Sequence, residues 1–173
     1  MGILFLAGIY GVGKSTIGKS LSQRKGIPFF SAGDLISQVN GEAYGANKVV
    51  TDKMGNQDIL AMQIEHQLEQ HDRLLLAGHF CIINGQGEVD RLPEDIFKRL
   101  HIEKIILLEA PVDRIMDHLL ARDSKQYSTE LVDSLMQTER KMANDVSKKL
   151  NCPMVTYRMT YTPADILTLE QVL

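Results

Sequence analysis

A glycine-rich segment near the amino end carries the residue types that bind a phosphate chain. Residues 8–15 read Gly-Ile-Tyr-Gly-Val-Gly-Lys-Ser and are followed by Thr16. They fit the pattern G-x-x-x-x-G-K-[ST], in which main-chain N–H groups surround phosphate oxygens. Glycines in such a loop leave no side chain to block an inward-facing amide. Lys14 adds a positive charge for the β- and γ-phosphates, and the Ser15 hydroxyl is a ligand for Mg²⁺. The segment therefore predicts a site for MgATP or a similar triphosphate, formed by Gly8, Tyr10, Gly11, Val12, Gly13, Lys14, Ser15 and Thr16.

The flanking sequence supplies the elements that this motif needs. The apolar run at residues 3–7 precedes it and is typical of a short buried strand. Ile17 and Leu21 follow at helical i, i+4 spacing, so a helix is expected to begin directly after the loop. The N-terminus of that helix adds unpaired N–H groups and a partial positive charge. The order of strand, glycine-rich turn and helix favours a phosphate-binding loop over an ordinary glycine-rich turn.

Composition and charge exclude several other classes of protein. The chain has 173 residues, of which 44% are hydrophobic and 24% charged, and this predicts a single domain over residues 1–173. The net charge of −3 predicts no general affinity for nucleic acid, although a local basic cleft stays open. No apolar run is long enough to span a membrane. Cys81 and Cys152 show no metal-binding spacing and fit a reducing compartment. We therefore expect a cytoplasmic protein that binds small molecules.

Short apolar runs alternate with longer helical stretches, which is typical of an α/β protein with a parallel sheet. The runs lie at residues 3–7, 27–30, 74–77, 104–108 and 154–157. Residues 41–56 are polar and glycine-rich and predict a loop, with Asn56 as the N-cap of the next helix. A turn signal at residues 84–87 fits either a tight hairpin or a loop beside the site. A long helix over residues 128–150 is expected to bury Leu131, Leu135, Met142 and Val146.

The sequence resembles the P-loop nucleoside monophosphate kinases, in particular archaeal-type adenylate kinases and small adenylate kinase-like ATP-binding proteins. Residues 31–36, Ser-Ala-Gly-Asp-Leu-Ile, are similar to the S-T-G-D-L/M-L segment of adenylate kinases, and Gly78-His79 follows the third strand. The resemblance implies a three-layer P-loop NTPase fold: a five-stranded parallel sheet of order 2-3-1-4-5 with helices on both faces. It also implies an acceptor-binding insertion over about residues 31–70 and a short lid over about residues 121–128.

The same resemblance assigns roles to residues outside the glycine-rich loop. It places Asp34 and His79 beside the acceptor, although Asp34 equally fits a helix cap and His79 a hydrogen bond that orders its loop. Arg122 and Lys125 belong to the lid, where a cation stabilises the charge that shifts during phosphoryl transfer. Arg140 falls where relatives carry a further lid-side arginine. Solvation at the surface is the alternative for all three cations.

Two positions depart from the pattern of that family. The family's arginine on the acceptor helix falls on Ser37, which leaves Lys48 or Lys53 to replace it. The aspartate that usually ends the third strand falls on Ala77, which neither accepts a hydrogen bond from a metal-bound water nor offsets the metal's charge. Glu109 is the candidate carboxylate for Mg²⁺, because the carboxyl ends of strands face the ligand crevice in this fold. The alternative for Glu109 is to cap the helix that follows.

These features predict a kinase that transfers the γ-phosphoryl of MgATP to a nucleoside monophosphate such as AMP. Lys14 and Arg122 would neutralise the moving charge, and an acceptor that is already a phosphate needs no general base. Two alternatives stay open: a kinase for another acceptor, and an ATP-binding regulatory module or slow ATPase in which Ala77 weakens transfer. The sequence lacks the N-K-x-D motif of a GTPase, and Ala77-Gly78 is not the Asp-Glu pair of a motor or AAA+ ATPase. Archaeal-type relatives form oligomers, and no interface is predicted from this sequence.

Overall fold

The computed structural model describes residues 2–40, 53–123 and 127–173. Its seven strands are β1 (Gly2–Ala7), β2 (Phe29–Ser31), β3 (Arg73–Ala77), β4 (Cys81–Ile83), β5 (Val89–Arg91), β6 (Ile102–Glu109) and β7 (Met154–Arg158). Its helices are α1 (Lys14–Lys25), α2 (Ala32–Asn40), α3 (Lys53–Gln70), α4 (Glu94–Arg99), α5 (Val112–Asp123), α6 (Thr129–Leu150) and α7 (Ala164–Glu170).

Five of the strands form one parallel sheet, and the other two form a separate antiparallel hairpin. The sheet order is β2-β3-β1-β6-β7, and the hairpin pairs β4 with β5. The α/β class and the parallel sheet are therefore confirmed. When only the five strands of the sheet are numbered along the chain, their order is the predicted 2-3-1-4-5. The labels used here differ because the two hairpin strands come between the third and the fourth sheet strand. The hairpin itself was one of two alternatives for the turn signal after β3.

The central strand β1 places the glycine-rich loop next to the residues that follow β3. All six residues of β1 are buried, between β3 on one side and β6 on the other. Leu6 lies opposite Ala77, and the Gly78 N–H donates to the Leu6 carbonyl at 3.1 Å. Since parallel strands end at the same edge of a sheet, the loops after β1 and β3 meet there, where ligands bind in open α/β folds.

Several element boundaries differ from the predicted ones. The helix α3 begins at Lys53, so Asn56 lies inside the helix and the prediction of an N-cap there is wrong. The strand β2 spans Phe29–Ser31, later than the apolar run suggested. On α6, Leu135, Met142 and Val146 are buried as predicted, but Val132, three residues before Leu135, takes the first buried position and Leu131 is only half-buried. Of the predicted loop 41–56, residues 53–56 belong to α3, and residues 41–52, with Lys48, lie outside the described residues.

Within the described ranges, none of the helices combines the length and the apolarity that crossing a membrane requires.

Candidate active site

The glycine-rich loop connects β1 to α1 and adopts the backbone conformation that its glycines allow. Gly8, Gly11 and Gly13 have φ angles of 142°, 80° and 101°, values that side-chain-bearing residues rarely adopt. A Cβ atom on Gly8 would lie 2.6 Å from the Leu108 carbonyl oxygen. The backbone conformation therefore favours glycine at all three positions, and at Gly8 the space excludes a side chain as well.

Lys14, the first residue of α1, folds back over this loop toward the residues that follow β3. Its Nζ atom donates to the carbonyl oxygens of Gly8 at 2.7 Å and Ile9 at 3.0 Å. The same atom lies 3.4 Å from His79 Nδ1, and the His79 ring packs on Tyr10 with a centroid distance of 4.2 Å. The structure thus brings together the predicted phosphate-binding lysine and the predicted acceptor-side histidine.

A cavity of about 600 Å³ opens above the loop, and we call it the P-loop cavity. Its size suits a nucleotide, since ligand pockets range over roughly 300–1,000 Å³. Arg122 of α5 contributes to its wall, together with Ala77 at the end of β3 and Gly78 after it. The rest of the wall comes from the loop, α1, the end of β2 and start of α2, the residue after Gly78, α5, the segment after β7 and α7 (Tyr10, Gly11, Gly13, Lys14, Ser15, Thr16, Ile17, Ser20, Ser31, Ala32, Gly33, His79, His118, Met159, Tyr161, Thr162, Asp165 and Ile166).

The buried carboxylate of Asp165 lines the P-loop cavity and holds the segment after β7 through hydrogen bonds. Asp165, only 1% exposed, accepts hydrogen bonds from the Tyr161 N–H at 2.7 Å, the Thr160 hydroxyl at 2.6 Å and the Tyr157 hydroxyl at 2.8 Å. Burial alone would raise the pKa of Asp165, but these hydrogen bonds outweigh it and hold the pKa below its ordinary value of 3.8. The carboxylate fixes Tyr161, at φ 59°, with its ring edge-on to His118.

A second, smaller cavity of about 100 Å³ adjoins the first, and we call it the apolar cavity. Both cavities share five lining residues: Tyr10, Ala32, Gly33, Gly78 and His79. Its remaining described lining carries two amides and no charged side chain (Phe5, Ile36, Asn56, Gln57, Leu60, Ile82, Leu92, Ile96, Phe97 and Leu100). The Nε2 atom of Gln57 is buried and has no hydrogen-bond partner among the described residues. Such a group is costly to leave unpaired and calls for a hydrogen-bond acceptor.

Glu109 and Arg140 are brought to each other rather than to the P-loop cavity. Arg140 on α6 donates to both carboxylate oxygens of Glu109, from Nε at 2.5 Å and from Nη2 at 2.8 Å. These hydrogen bonds to Glu109 raise the pKa of the Arg140 guanidinium. Neither residue is among the described residues that line the P-loop cavity. A role for Glu109 in binding Mg²⁺, or for Arg140 in binding substrate, stays a prediction that requires this ion pair to open.

Three other positions from the sequence analysis remain to be located: Asp34, Ser37 and Lys125. Asp34 is exposed in the first turn of α2, one residue after Gly33, which lines both cavities. Ser37 donates its hydroxyl hydrogen to the Gly33 carbonyl at 2.8 Å and so is engaged within its own helix. Lys125 lies outside the described residues.

The sequence analysis did not identify Gln57, His118, Tyr161 or Asp165, which line the two cavities, nor Glu139 on α6. The side chain of Glu139 is buried, and it accepts hydrogen bonds from the N–H groups of Gly8 at 3.1 Å, Phe80 at 2.8 Å and Cys81 at 2.9 Å. Burial raises the pKa of Glu139, and the positive charge of Lys14 and these hydrogen bonds offset part of that rise. The charged run at 139–141 resembles a solvated face. The available signal was its helical phase, because residue 139 continues the buried stripe of residues 135, 142 and 146.

The residues present suit a triphosphate with Mg²⁺. The loop offers main-chain N–H groups and Lys14 for phosphate oxygens, and Ser15, which also lines the cavity, would supply a hydroxyl ligand to the metal. Mg²⁺ keeps several waters and is held largely by substrate phosphates, so it needs few protein ligands. Consistent with this, the described residues include no cluster of three or more His, Cys, Asp or Glu side chains that could hold a metal. Fold and site together define a P-loop protein with a site suited to a nucleoside triphosphate.

The comparison with known families places the chain more narrowly. A family model described as an AAA domain matches residues 7–136, more than half of the chain, and the chain belongs to this family. It is similar to a shikimate kinase from Chromobacterium violaceum, with 25% identity over 158 residues, covering 83% of this chain and 84% of the relative. It is also similar to an adenylate kinase from Corynebacterium aurimucosum, with 27% identity over 135 residues, covering 73% of this chain and 74% of the relative.

Solved structures share the fold at low sequence identity. A shikimate kinase from Bacteroides thetaiotaomicron aligns with a TM-score of 0.62 and 16% identity, covering 99% of this chain and 95% of that one. A gluconokinase from Sinorhizobium meliloti aligns with a TM-score of 0.59 and 13% identity, covering 99% and 90%. The resemblance to P-loop nucleoside monophosphate kinases is confirmed, and the chain is a P-loop kinase. Although the family bears the name of the AAA ATPases, these relatives are kinases whose acceptors differ.

Proposed function

We propose that the protein transfers the γ-phosphoryl of MgATP to the phosphate of a nucleoside monophosphate, with AMP as the first candidate. The observation that carries this proposal is the apolar cavity beside the P-loop cavity, whose described lining carries no charged side chain. Shikimate and gluconate both carry a carboxylate, and burying a carboxylate without a cation is expensive. A nucleobase is neutral and planar, and its ring nitrogens accept the hydrogen bond that Gln57 offers.

On the donor side, the residues of the P-loop cavity supply electrostatic stabilisation. MgATP supplies the transferable phosphoryl group. Lys14 would exchange the carbonyl oxygens of Gly8 and Ile9 for phosphate oxygens, and Arg122 faces the same space from α5. Positive groups aimed at the moving phosphoryl stabilise its transition state, and a phosphate acceptor requires no proton removal. His79 lines both cavities and is placed to contact the acceptor phosphate where they meet.

A second candidate, a slow ATPase or an ATP-binding module, rests on Ala77. This residue ends β3, is 4% exposed and lines the P-loop cavity, where relatives of the adenylate type carry a carboxylate. Without that carboxylate, water could compete with the acceptor for the phosphoryl group.

The two free cysteines are buried, which supports the expectation of a reducing, cytoplasmic location.

Separate reactions with single acceptors test the proposal. The protein is incubated with MgATP and, in turn, AMP, CMP, GMP, UMP, shikimate and gluconate, and the products are separated by anion-exchange chromatography. We expect a diphosphate from AMP at a higher rate than from any other acceptor. Slow release of inorganic phosphate alone would contradict the transferase and support the ATPase. Phosphorylated shikimate or gluconate would contradict the nucleotide acceptor. Lys14→Ala serves as the inactive control.

A further inference from the structure

We propose that Glu139 is a positioning residue that holds the glycine-rich loop and the loop bearing His79 in a fixed relation for phosphoryl transfer. Glu139 is not among the described residues that line either cavity, so it acts through the main-chain N–H groups that it holds. The inference rests on the proposed phosphotransfer for its kinetic consequence, while the contact itself can be measured without any acceptor.

One carboxylate joins two loops that are far apart in sequence. Its Oε1 atom accepts from the Gly8 N–H at the end of β1. Its Oε2 atom accepts from the N–H groups of Phe80 and Cys81, where the chain leaves β3 and enters the hairpin, and from the Cys81 thiol at 3.2 Å. The two oxygens therefore hold two different loops, and neither oxygen is shared between them.

The groups that Glu139 holds are neighbours of the groups expected to act on phosphate. Gly8 gives its N–H to Glu139 and its carbonyl oxygen to Lys14 Nζ, so one residue connects the carboxylate to the lysine. Phe80, on the other loop, directly follows His79, whose Nδ1 lies 3.4 Å from Lys14 Nζ. A shift of either loop would change the distance between the lysine and the histidine, and small misplacements are costly in catalysis.

The hydrogen bonds of this contact favour the ionised carboxylate and so oppose the burial that raises the pKa of Glu139. Three main-chain N–H groups converge on the carboxylate, and hydrogen bonds to an ionised acceptor are stronger than those to a neutral one. The thiol of Cys81 stays protonated, because burial and the neighbouring Glu139 raise the pKa of Cys81 far above its ordinary range. A glutamine could accept from only one of the two loops, since its amide nitrogen would face the N–H groups of the other.

The substitution Glu139→Gln tests this inference. We expect the glutamine oxygen to keep the hydrogen bonds from the Phe80 and Cys81 N–H groups. Its amide nitrogen would then face the Gly8 N–H, so that the glycine-rich loop loses its hydrogen bond to residue 139. The kcat for transfer to AMP should fall at least about tenfold, whereas the Kd for MgATP should change less than about threefold, because the loop's amides still bind phosphate. Glu130→Gln, at an exposed position in the first turn of the same helix, should leave both values unchanged.

Amide hydrogen exchange, followed by NMR without any acceptor, measures the contact directly. In the wild type, the amides of Gly8, Phe80 and Cys81 should be protected, and in Glu139→Gln the Gly8 amide alone should exchange at least about tenfold faster, with the β6 amides unchanged. If Glu139→Gln does not fold, rapid exchange of these three amides in the wild type would still overturn the inference. An unchanged kcat in a folded variant would also overturn it and leave Glu139 a purely structural residue. If the wild type phosphorylates no acceptor, the proposed function fails, and the exchange of the Gly8 amide still decides whether the contact exists.

Discussion

The P-loop cavity and the apolar cavity meet at His79 but are built in different ways. The first takes its chemistry from one contiguous loop, with main-chain amides and Lys14, and from Arg122 in its wall. The second is assembled from side chains of α2, α3, the hairpin and α4, which are widely separated in sequence. Under the proposed function, main-chain amides and positive charge would bind the donor, whereas the shape and the uncharged described side chains of the apolar cavity would select the acceptor.

This difference bears on how kinases with one fold come to use different acceptors. A loop that binds phosphate through its backbone tolerates few changes, since its glycines are favoured by conformation and, at Gly8, also by space. A cavity lined by side chains from four elements can change its chemistry one residue at a time. Relatives named as shikimate, adenylate and gluconate kinases are consistent with that division.

The largest effect is expected from removing the charge at the P-loop cavity. Lys14→Ala should lower kcat at least about 1,000-fold, because the charge that stabilises the transferring phosphoryl is lost. Steady-state kinetics with MgATP and AMP measure it. Lys19→Ala, exposed on the same helix, is the matched control and should behave as the wild type. A Lys14→Ala variant within tenfold of the wild type would contradict the role of the loop.

The next effect concerns the second cation of the same cavity. Arg122→Ala should lower kcat about 10- to 100-fold with little change in the Kd for MgATP, because the guanidinium acts mainly on charge that moves in the transition state. Arg122→Lys should recover part of that loss. If the Kd rises and kcat stays constant, Arg122 serves binding and not transfer.

A stability effect is expected at Asp165, in the wall of the P-loop cavity. Asp165→Asn should lower the free energy of unfolding at pH 7 by about 2 kcal/mol, because several hydrogen bonds lose an ionised acceptor. The folded-state pKa lies below the unfolded value of 3.8, so this stabilisation is present above pH 3.8 and is lost as the pH falls through the folded-state pKa. Urea unfolding from pH 7 to pH 2.5 should therefore show the two proteins converging in acid. A difference that is independent of pH would contradict the role of the charge.

A substitution in the apolar cavity should change the KM for the acceptor and not the KM for MgATP. Gln57→Leu should raise the KM for AMP about tenfold and leave the KM for MgATP unchanged, because the cavity loses the amide that offers a hydrogen bond to the base. Gln70→Leu, near the exposed end of the same helix, is the control. A fall in the KM for AMP on Gln57→Leu would mean that the cavity accepts a purely apolar group.

The smallest expected effect is a gain in kcat from a substitution at Ala77, in the wall of the P-loop cavity. Ala77→Asp should raise kcat about threefold, because a carboxylate at the end of β3 can accept hydrogen bonds from metal-bound water. Ala77→Asn, of the same size but without charge, should not. No gain in a variant that still binds MgATP would show that Ala77 is not the site of a lost metal-side group.

The parts that could be predicted from the sequence are those whose chemistry is local. The phosphate-binding loop is contiguous, and the strand and helix on either side of it follow from apolar spacing within a few residues. The turn signal between the two hairpin strands was also recognised, but it left a hairpin and a loop as alternatives. Short-range rules were sufficient for the phosphate-binding loop and its flanking strand and helix because each element is decided by its immediate neighbours in the chain.

Glu139 and Arg140 show why other parts could not be predicted. They are adjacent in sequence, yet one is buried against Gly8 and the other is exposed and paired with Glu109. The partners of Glu139 lie 131 and 59 residues away, so its helical phase can indicate that it faces the core but not which groups satisfy its charge there. Charged residues are almost never buried without such partners, and a rule based on residue type therefore places both at the surface.

The most direct test of the account is a competition between acceptors in one reaction, followed by ³¹P NMR. The protein is mixed with MgATP and equal concentrations of AMP and shikimate, and the fate of the γ-phosphoryl is read from the spectrum. We predict that AMP is consumed and that two ADP form for each ATP used, while the signal of a shikimate phosphate ester stays absent. Growth of that ester signal, or release of inorganic phosphate with AMP unconsumed, would contradict a nucleotide acceptor at the apolar cavity.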